Sequence, residues 1–526
     1  MEAAPENRRT GLGRMVAVAR GEAGARVSVV MALAAGAGLR VWMLGAFPQV
    51  SGDTLVYGGL AKNLLLHGQF AITDGSGVLH STLIRLPGYP VFLALCFWLF
   101  GVENYTAVAY AQIALELAGC LFLAGFVRRV ASQGAALCTL WLAALCPFTA
   151  SYAVAPLTET LTLFAIALAL WAMARFDERP GWGSALWFAF AVSYAAMLRP
   201  DGALIGVALA PPLVMGLKRG AIPRRKLARM AVVCVLLALA PFAVWTARNW
   251  RVFHVFEPVT TRYATDPGEA TYPGWQRWVK TWCLDFVSTY EIYWNVPGGA
   301  LDLTKLPSRA FDSLAQYEET AALAKAYDEN GQDISPELDA QFARLAEERD
   351  AVHPLRYHLW LPLGRLADMW LRPRVENLPI DLDWWIYAHH NQETEISWAY
   401  AALNAMYLML GLAGLWCWRR LSTLGTKTVS FGARYWPWMM AYMVLRSGLL
   451  MTIEAPEARY TLECFPMLFA LGGIGVRGAF RKIGGLEQGP RVLPVWETHR
   501  YPKDRGPVEE QASEIFQETE VLRRGN

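Results

Sequence analysis

The chain has 526 residues, of which 54% are hydrophobic and 18% charged, with a formal net charge of +3 and a mean hydropathy of +0.24. That is too apolar and too thinly charged for a soluble protein of this length, where about 25% charged residues is usual; the apolar residues gather instead into runs of about 20, enough to cross a bilayer. The small, dispersed positive charge excludes a nucleic-acid-binding face, and the eight cysteines have neither zinc-type spacing nor the pattern of a disulfide framework.

Taken in chain order, residues 1–26 are a polar, arginine-bearing cytoplasmic tail, and the apolar run behind it lacks a cleavage site, so it reads as an uncleaved first span. Spans are predicted over 27–47, 105–127, 134–153, 156–174, 183–199, 201–217, 230–249, 397–418, 435–452 and 461–478. The expected fold is therefore all-α, a polytopic membrane protein of about ten transmembrane helices. With residues 1–26 inside, the inner segments hold Arg8, Arg9, Arg14, Arg20, Arg26, Arg128, Arg129, Arg175, Arg179, the Lys218–Arg229 cluster, Arg419, Arg420, Lys427 and Arg434. The short outer segments and the first outer loop hold Lys62, Arg85, Arg199 and Arg459, so the positive-inside rule puts both termini in the cytoplasm.

The first outer loop, residues 48–104, contains a predicted helix near 55–66 and then the apolar stretch 86–100, LPGYPVFLALCFWLF, which is too short and too proline-rich to span and is placed as an interfacial helix. A second outer segment, residues 251–396, is rich in tryptophan, whose rings favour the headgroup level, and is predicted to be a membrane-associated cap. Its middle, 308–348, is polar and helix-favouring, and 353–373 reads as an amphipathic interfacial helix. Three spans follow within 397–479, then a polar tail, 480–526, with the composition of a disordered segment.

Ionisable side chains are costly near lipid, so their convergence at one membrane face marks a candidate site. Asp53 and Tyr57 share a helix face directly after the first span; Arg85 and Tyr89 open the RLPGYP segment; Glu159 starts the fourth span in APLTET. Arg199 and Asp201 form the turn LRPDG, Arg248 ends the seventh span in ARNW, and Glu457, Arg459 and Tyr460 precede the last. One carboxylate among arginines at headgroup depth suits chemistry on a lipid phosphate, because arginine binds phosphate through paired hydrogen bonds and stabilises charge on a departing phosphate.

The ordered set DTLVYGGLAKNLLLHGQF, RLPGYPVFLALCFWLFG, APLTE, LRPDG, ARNW and EARYTLECFP resembles the GT-C superfamily of membrane glycosyltransferases, in the branch of the protein O-mannosyltransferases and lipid A aminoarabinose transferases. The likeness covers roughly 27–250, read as a core of seven spans, and 397–478. It implies a catalytic first outer loop, a polyprenyl-phosphate sugar as donor, a protein, lipid or glycan hydroxyl as acceptor, and inversion at the anomeric carbon. By the same likeness Asp53 is the catalytic base, and Arg85 and Arg459 bind the lipid phosphate; from their own positions at the outer helix ends, Arg199 and Arg248 are further phosphate-binding candidates, and Tyr57, Tyr89, Glu159 and Tyr460 are candidates for contact with substrate. Relatives often carry a second acidic residue in this loop, whereas Thr54 and Leu55 follow Asp53 here, so neither a metal nor another cofactor is expected. The expected location is a bacterial inner membrane, with the site on the outer face.

Plainer readings stand beside these. Asp53 also suits a helix N-cap, the arginines suit snorkelling to headgroups, Glu159 suits a helix dipole, and the tyrosines suit an interfacial belt. Glu116, one turn beyond Gln112 inside the second span, needs a partner, and Arg40 is within geometric reach; His389 and His390 are adjacent and point apart, which disfavours a metal. The alternative functions are a lipid-linked polysaccharide polymerase or ligase, and a transporter or flippase, although no internal repeat of the transporter kind is present.

Overall fold

A computed structural model describes residues 6–484, apart from 49, 51, 218–222, 262, 264 and 424–434. The C-terminal tail from 485 onward, and Lys218, Arg219, Lys427 and Arg434 among the basic residues, lie outside the described residues.

The first predicted span falls in the C-terminal part of α1, Glu6–Ala46, and is followed by α2, Asp53–His67. A two-stranded antiparallel hairpin, β1 Ala71–Thr73 with β2 Leu79–Ser81, leads to α3, Gly88–Phe100. The fold is mostly helical as expected, with this one short hairpin among the described residues; the hairpin forms because Asp74 accepts hydrogen bonds from the backbone of Ser76 and Val78 and so closes the turn locally. Asn63 of α2 then donates to Ala71 O at 2.8 Å and ties the hairpin to the helix before it.

Next come α4, Tyr105–Val130; α5, Gln133–Ala144; α6, Pro147–Val154; α7, Glu159–Glu178; α8, Trp182–Leu198; α9, Leu204–Leu217; and α10, Arg224–Phe253. Asn104 and Ser132 cap α4 and α5 through their side chains. The run predicted as one span over 134–153 is broken: Pro147, which lacks an N–H, starts α6 at a 53° bend from α5. Arg40 of α1 stabilises that break by donating to Ala144 O at 2.6 Å while pairing with buried Glu116 of α4.

The outer segment contains α11, Pro273–Lys280; a helical turn α12, Phe286–Ser288; α13, Leu314–Glu329; α14, Pro336–Val352; and α15, Leu361–Leu371. The tryptophans of this segment divide into two groups. Trp275, Trp278 and Trp282 are buried with Phe342, Leu345 and Tyr327 in a core of this segment's own, whereas Trp294, Trp360 and Trp385 are exposed. The one-turn spacing of the first pair and the four-residue spacing of the second put the three rings on one face of α11 and its extension, and Asp339 of α14 caps that helix by accepting from the N–H groups of Gly274 and Trp275.

The chain returns through α16, Asn391–Thr423; α17, Tyr435–Leu450; a 3-10 turn, Ala458–Cys464; and α18, Phe465–Gly484. Helices α16 and α18 approach closely at Gly414, where an added Cβ would lie 1.8 Å from Leu471 O, and at Gly475; small residues permit this contact, as is usual between helices in lipid. Among the described residues six helices are long and apolar enough to cross a membrane, or seven with the bent pair α5–α6 taken as one span. The other predicted spans fall on α8, α9 and α17, which have 17, 14 and 16 residues and are short for a crossing.

Candidate functional site

Helix α2 opens on Asp53, and the preceding Gly52 makes no side-chain cap. The Asp53 carboxylate turns instead to two arginines: Arg85 Nη2 donates to Oδ1 at 2.9 Å, and Arg459 Nη2 lies 3.4 Å from Oδ2. Burial pushes the Asp53 carboxyl up, but the two guanidinium charges outweigh it and hold the group below its ordinary value. Thr54 hydrogen-bonds Pro156 O, fixing the start of α2 against the APLTE turn.

Arg85 reaches Asp53 because α3 is packed tightly behind it. A Cβ on Gly88 would lie 2.5 Å from Met197 O at the end of α8, so glycine is what allows the RLPGYP turn to sit there. Tyr89 is buried and donates to Gln112 Oε1 at 2.7 Å, and Gln112 in turn donates to Ala155 O at 2.8 Å. Tyr57 packs edge-on against Tyr89, with the Arg85 guanidinium over its face. Burial pushes the Tyr57 phenol up to about 12, so it stays protonated and able to donate a hydrogen bond at neutral pH.

From Asp53 the charges alternate inward. Arg459 meets Glu457 at 2.6 Å and Glu159 at 3.8 Å; Arg199 meets Glu159 at 3.5 Å, Asp201 at 3.4 Å and Glu463 at 3.3 Å. Arg446 of α17 closes the array on Asp201 at 2.9 Å and Glu463 at 2.7 Å, and donates from Nε to Tyr460 O at 2.9 Å. Tyr460 donates to Glu457, and its ring lies beneath both Arg199 and Arg459. Six chain segments thus converge: the start of α2, the turn before α3, the start of α7, the α8–α9 turn, α17, and the 3-10 turn before α18.

Eight of the nine candidate site residues gather here, directly or through Tyr89. Arg248 does not join the array. Its Nη groups donate to the carbonyls of Phe70 and Thr82 at 2.7 and 2.8 Å, and the guanidinium packs against Phe70, Trp245 and Phe253, so it holds the first outer loop onto α10. Arg446 and Glu463 were not singled out from the sequence. Their signal was an ionisable residue inside or opening an apolar run, which itself marks functional positions.

Among the described residues, Asp381, Asp383 and His390 present ligand atoms within 4.8 Å of one another, in the loop leading into α16. Asp381 is exposed and Asp383 half-buried, and both ring nitrogens of His390 already face carboxylates, Asp383 at 3.2 Å and Glu393 at 3.6 Å.

Residues 85–245, from the RLPGYP turn to the seventh predicted span, match the family model for dolichyl-phosphate-mannose-protein mannosyltransferases. The chain resembles the GT-C membrane glycosyltransferases. The matched stretch contains Arg85, Tyr89, Glu159 and Arg199, and the structure brings Asp53, Arg459 and Tyr460 to it from either side. Similar solved structures include the Archaeoglobus fulgidus oligosaccharyltransferase in complex with Zn and sulfate, at 12% identity and a TM-score of 0.45 over 87% of this chain and 49% of that one. The Archaeoglobus fulgidus oligosaccharyltransferase AglB, in complex with an inhibitory peptide and a dolichol-phosphate, matches at 12% identity and a TM-score of 0.44, over 90% of this chain and 53% of that one. ArnT from Cupriavidus metallidurans, bound to undecaprenyl phosphate, matches at 15% identity and a TM-score of 0.36, over 86% and 79% respectively. The chain spans about half the length of the archaeal structures it matches. No curated protein matches it.

Proposed function

We propose that this chain is an integral-membrane glycosyltransferase that moves a sugar from a polyprenyl-phosphate donor to a hydroxyl of a protein, lipid or glycan, at the outer face of a bacterial inner membrane with both termini inside. The observation that carries this reading is the Asp53 carboxylate held between Arg85 and Arg459.

The acceptor oxygen bonds to the anomeric carbon as the bond from that carbon to the phosphate oxygen breaks, and the configuration inverts. The electron pair leaves with the polyprenyl phosphate, whose charge grows from one toward two. Arg85 and Arg459 stabilise that growing charge, with Arg199 behind them. Phosphate is already a good leaving group, so a separate acid is not needed. Asp53 orients the acceptor hydroxyl and receives its proton. A carboxylate clamped by two arginines is a weak base, but an arriving phosphate competes for the same guanidiniums; as they turn to it, the Asp53 carboxyl is released and its proton affinity rises toward the value general-base work requires. Tyr57 and Glu159 supply hydrogen bonds to the sugar or acceptor, Tyr89 supports Tyr57, and Tyr460 carries the faces of Arg199 and Arg459. Arg248 serves the site by fixing the first outer loop rather than by touching phosphate. No step in this scheme uses a metal.

The test is mass spectrometry of polyprenyl-phosphate sugars from deletion cells expressing the wild type or Asp53→Asn. A single sugar-bearing lipid is expected to accumulate with the variant and to be consumed by the wild type. No change in any such lipid, with both proteins present in the membrane, would remove Asp53 as the base.

A further inference from the structure

One buried carboxyl group beside the array has no task in the scheme above. The segment that follows α15 is anchored to the turn carrying Arg459 and Tyr460. Arg374 donates to Ala458 O at 2.7 Å, to Thr461 Oγ1 at 2.6 Å and to Asn404 at 3.2 Å, and its guanidinium lies over Phe465. Two residues further on, Glu376 stands within electrostatic reach of Glu457, and Tyr152 of α6 lies within reach of Glu376, Glu457, Glu159 and Arg459 together.

The Glu376 side chain is 10% exposed; its Oε1 is buried without a hydrogen-bond donor among the described residues, and the nearest cation, Arg372, is 4.0 Å away. Burial raises this carboxyl despite the opposing pull of Arg372 and Arg374. A buried acceptor left unfilled is costly, and the ion pair with Arg372 at 4.0 Å is too long to supply that hydrogen bond. The carboxylate can only accept hydrogen bonds, and its acidic neighbour is Glu457. An anionic phosphate brings no donor to this oxygen, whereas a neutral group rich in O–H donors does.

We propose that Glu376 accepts hydrogen bonds from hydroxyl groups of the donor sugar and so forms a sugar-reading subsite next to the phosphate-binding arginines. This rests on the glycosyltransferase reading and adds where the sugar is distinguished from its carrier: the outer segment ahead of the eighth predicted span, rather than the first outer loop.

The experiment measures binding of the full-length protein in lipid nanodiscs to undecaprenyl phosphate and to a panel of undecaprenyl-phosphate hexoses and pentoses. The wild type is expected to prefer one sugar-bearing lipid over the bare phosphate. Glu376→Ala is expected to lower that preference by roughly tenfold to a hundredfold, the range for a hydrogen bond to a charged acceptor, with the bare lipid bound as before. Glu376→Gln, which keeps an acceptor oxygen and the shape, is expected to fall between. A preference that survives in Glu376→Ala would overturn the subsite alone. Equal loss of sugar-bearing and bare lipid would also overturn it, marking Glu376 as structural. A wild type that binds no polyprenyl phosphate would instead overturn the glycosyltransferase reading, and the subsite with it.

Discussion

Asp53 and Arg459, 406 positions apart in the chain, face each other at 3.4 Å, and Arg85 completes the contact from the other carboxylate oxygen at 2.9 Å. The loop over 48–104 and the turn before the last helix therefore share one charge cluster, and a change on either side is felt by the carboxylate between them.

This sharing has a consequence for pH. Asp53 is held below its ordinary value, so its ion pairs are fully formed above about pH 4, the unfolded-state value, and are lost only as pH falls below that through the folded-state value. The acid limb of kcat/KM, which reports the free protein, is expected at or below about pH 4. The limb of kcat is expected at higher pH, because bound phosphate draws the arginines away. Arg85→Met should move the first limb upward. Superimposed limbs in the wild type would argue against competition between Asp53 and phosphate.

Arg40 and Glu116 form a pair almost wholly removed from solvent, and Arg40 also binds the carbonyl exposed at the α5–α6 break. Removing one partner strands the other in an apolar setting, so Arg40→Met or Glu116→Leu is expected to destabilise by about 3–5 kcal/mol. The double variant should cost clearly less than the sum, as thermal unfolding in detergent would record. Additive losses would mean that the two residues act separately.

Asp368 of α15 gives an opposite pH signature in the outer segment. Burial pushes its carboxyl up to about 6, with Arg372 3.8 Å away opposing. A raised acid favours folding most below its unfolded value near 4, and the benefit is lost as pH rises through about 6. Unfolding of the full chain, followed from pH 7 down to pH 5, is expected to show a gain of roughly 1–2 kcal/mol that Asp368→Asn abolishes. Persistence of the pH effect in Asp368→Asn would assign it to another group.

Gly414→Ala tests the contact of α16 with α18. The new methyl would meet the backbone at Leu471, which cannot rotate away, so the helices must separate. A loss of about 1–3 kcal/mol is expected, with the thermal midpoint falling while Gly45→Ala, where nothing lies nearby, leaves it unchanged. Equal midpoints for both variants would show that the approach is looser than described.

Periodicity and local chemistry were readable without the fold. Apolar run length located the helices, though not the break at Pro147 inside the 134–153 run, and RLPGYP, APLTET, LRPDG and EARY each put an ionisable group at a helix end, because proline, glycine and capping residues act within a few positions of themselves. The convergence of Asp53, Arg85, Glu159, Arg199 and Arg459 was legible as ionisable groups gathered at the ends of apolar runs. What tertiary structure decided is which partner each charge takes. Arg248 resembled the other outer arginines in sequence, yet the hairpin carbonyls of Phe70 and Thr82 occupy its donors. Arg446 and Glu463 lay inside apolar runs and became part of the array only when α17 packed beside the α8–α9 turn. Trp275, Trp278 and Trp282 carried the composition of an interfacial belt but became a core once α14 covered them. A residue's type and spacing fix its chemistry and its face, since both are local; ion pairing and burial depend on distances between segments hundreds of residues apart, and those exist only in the folded chain.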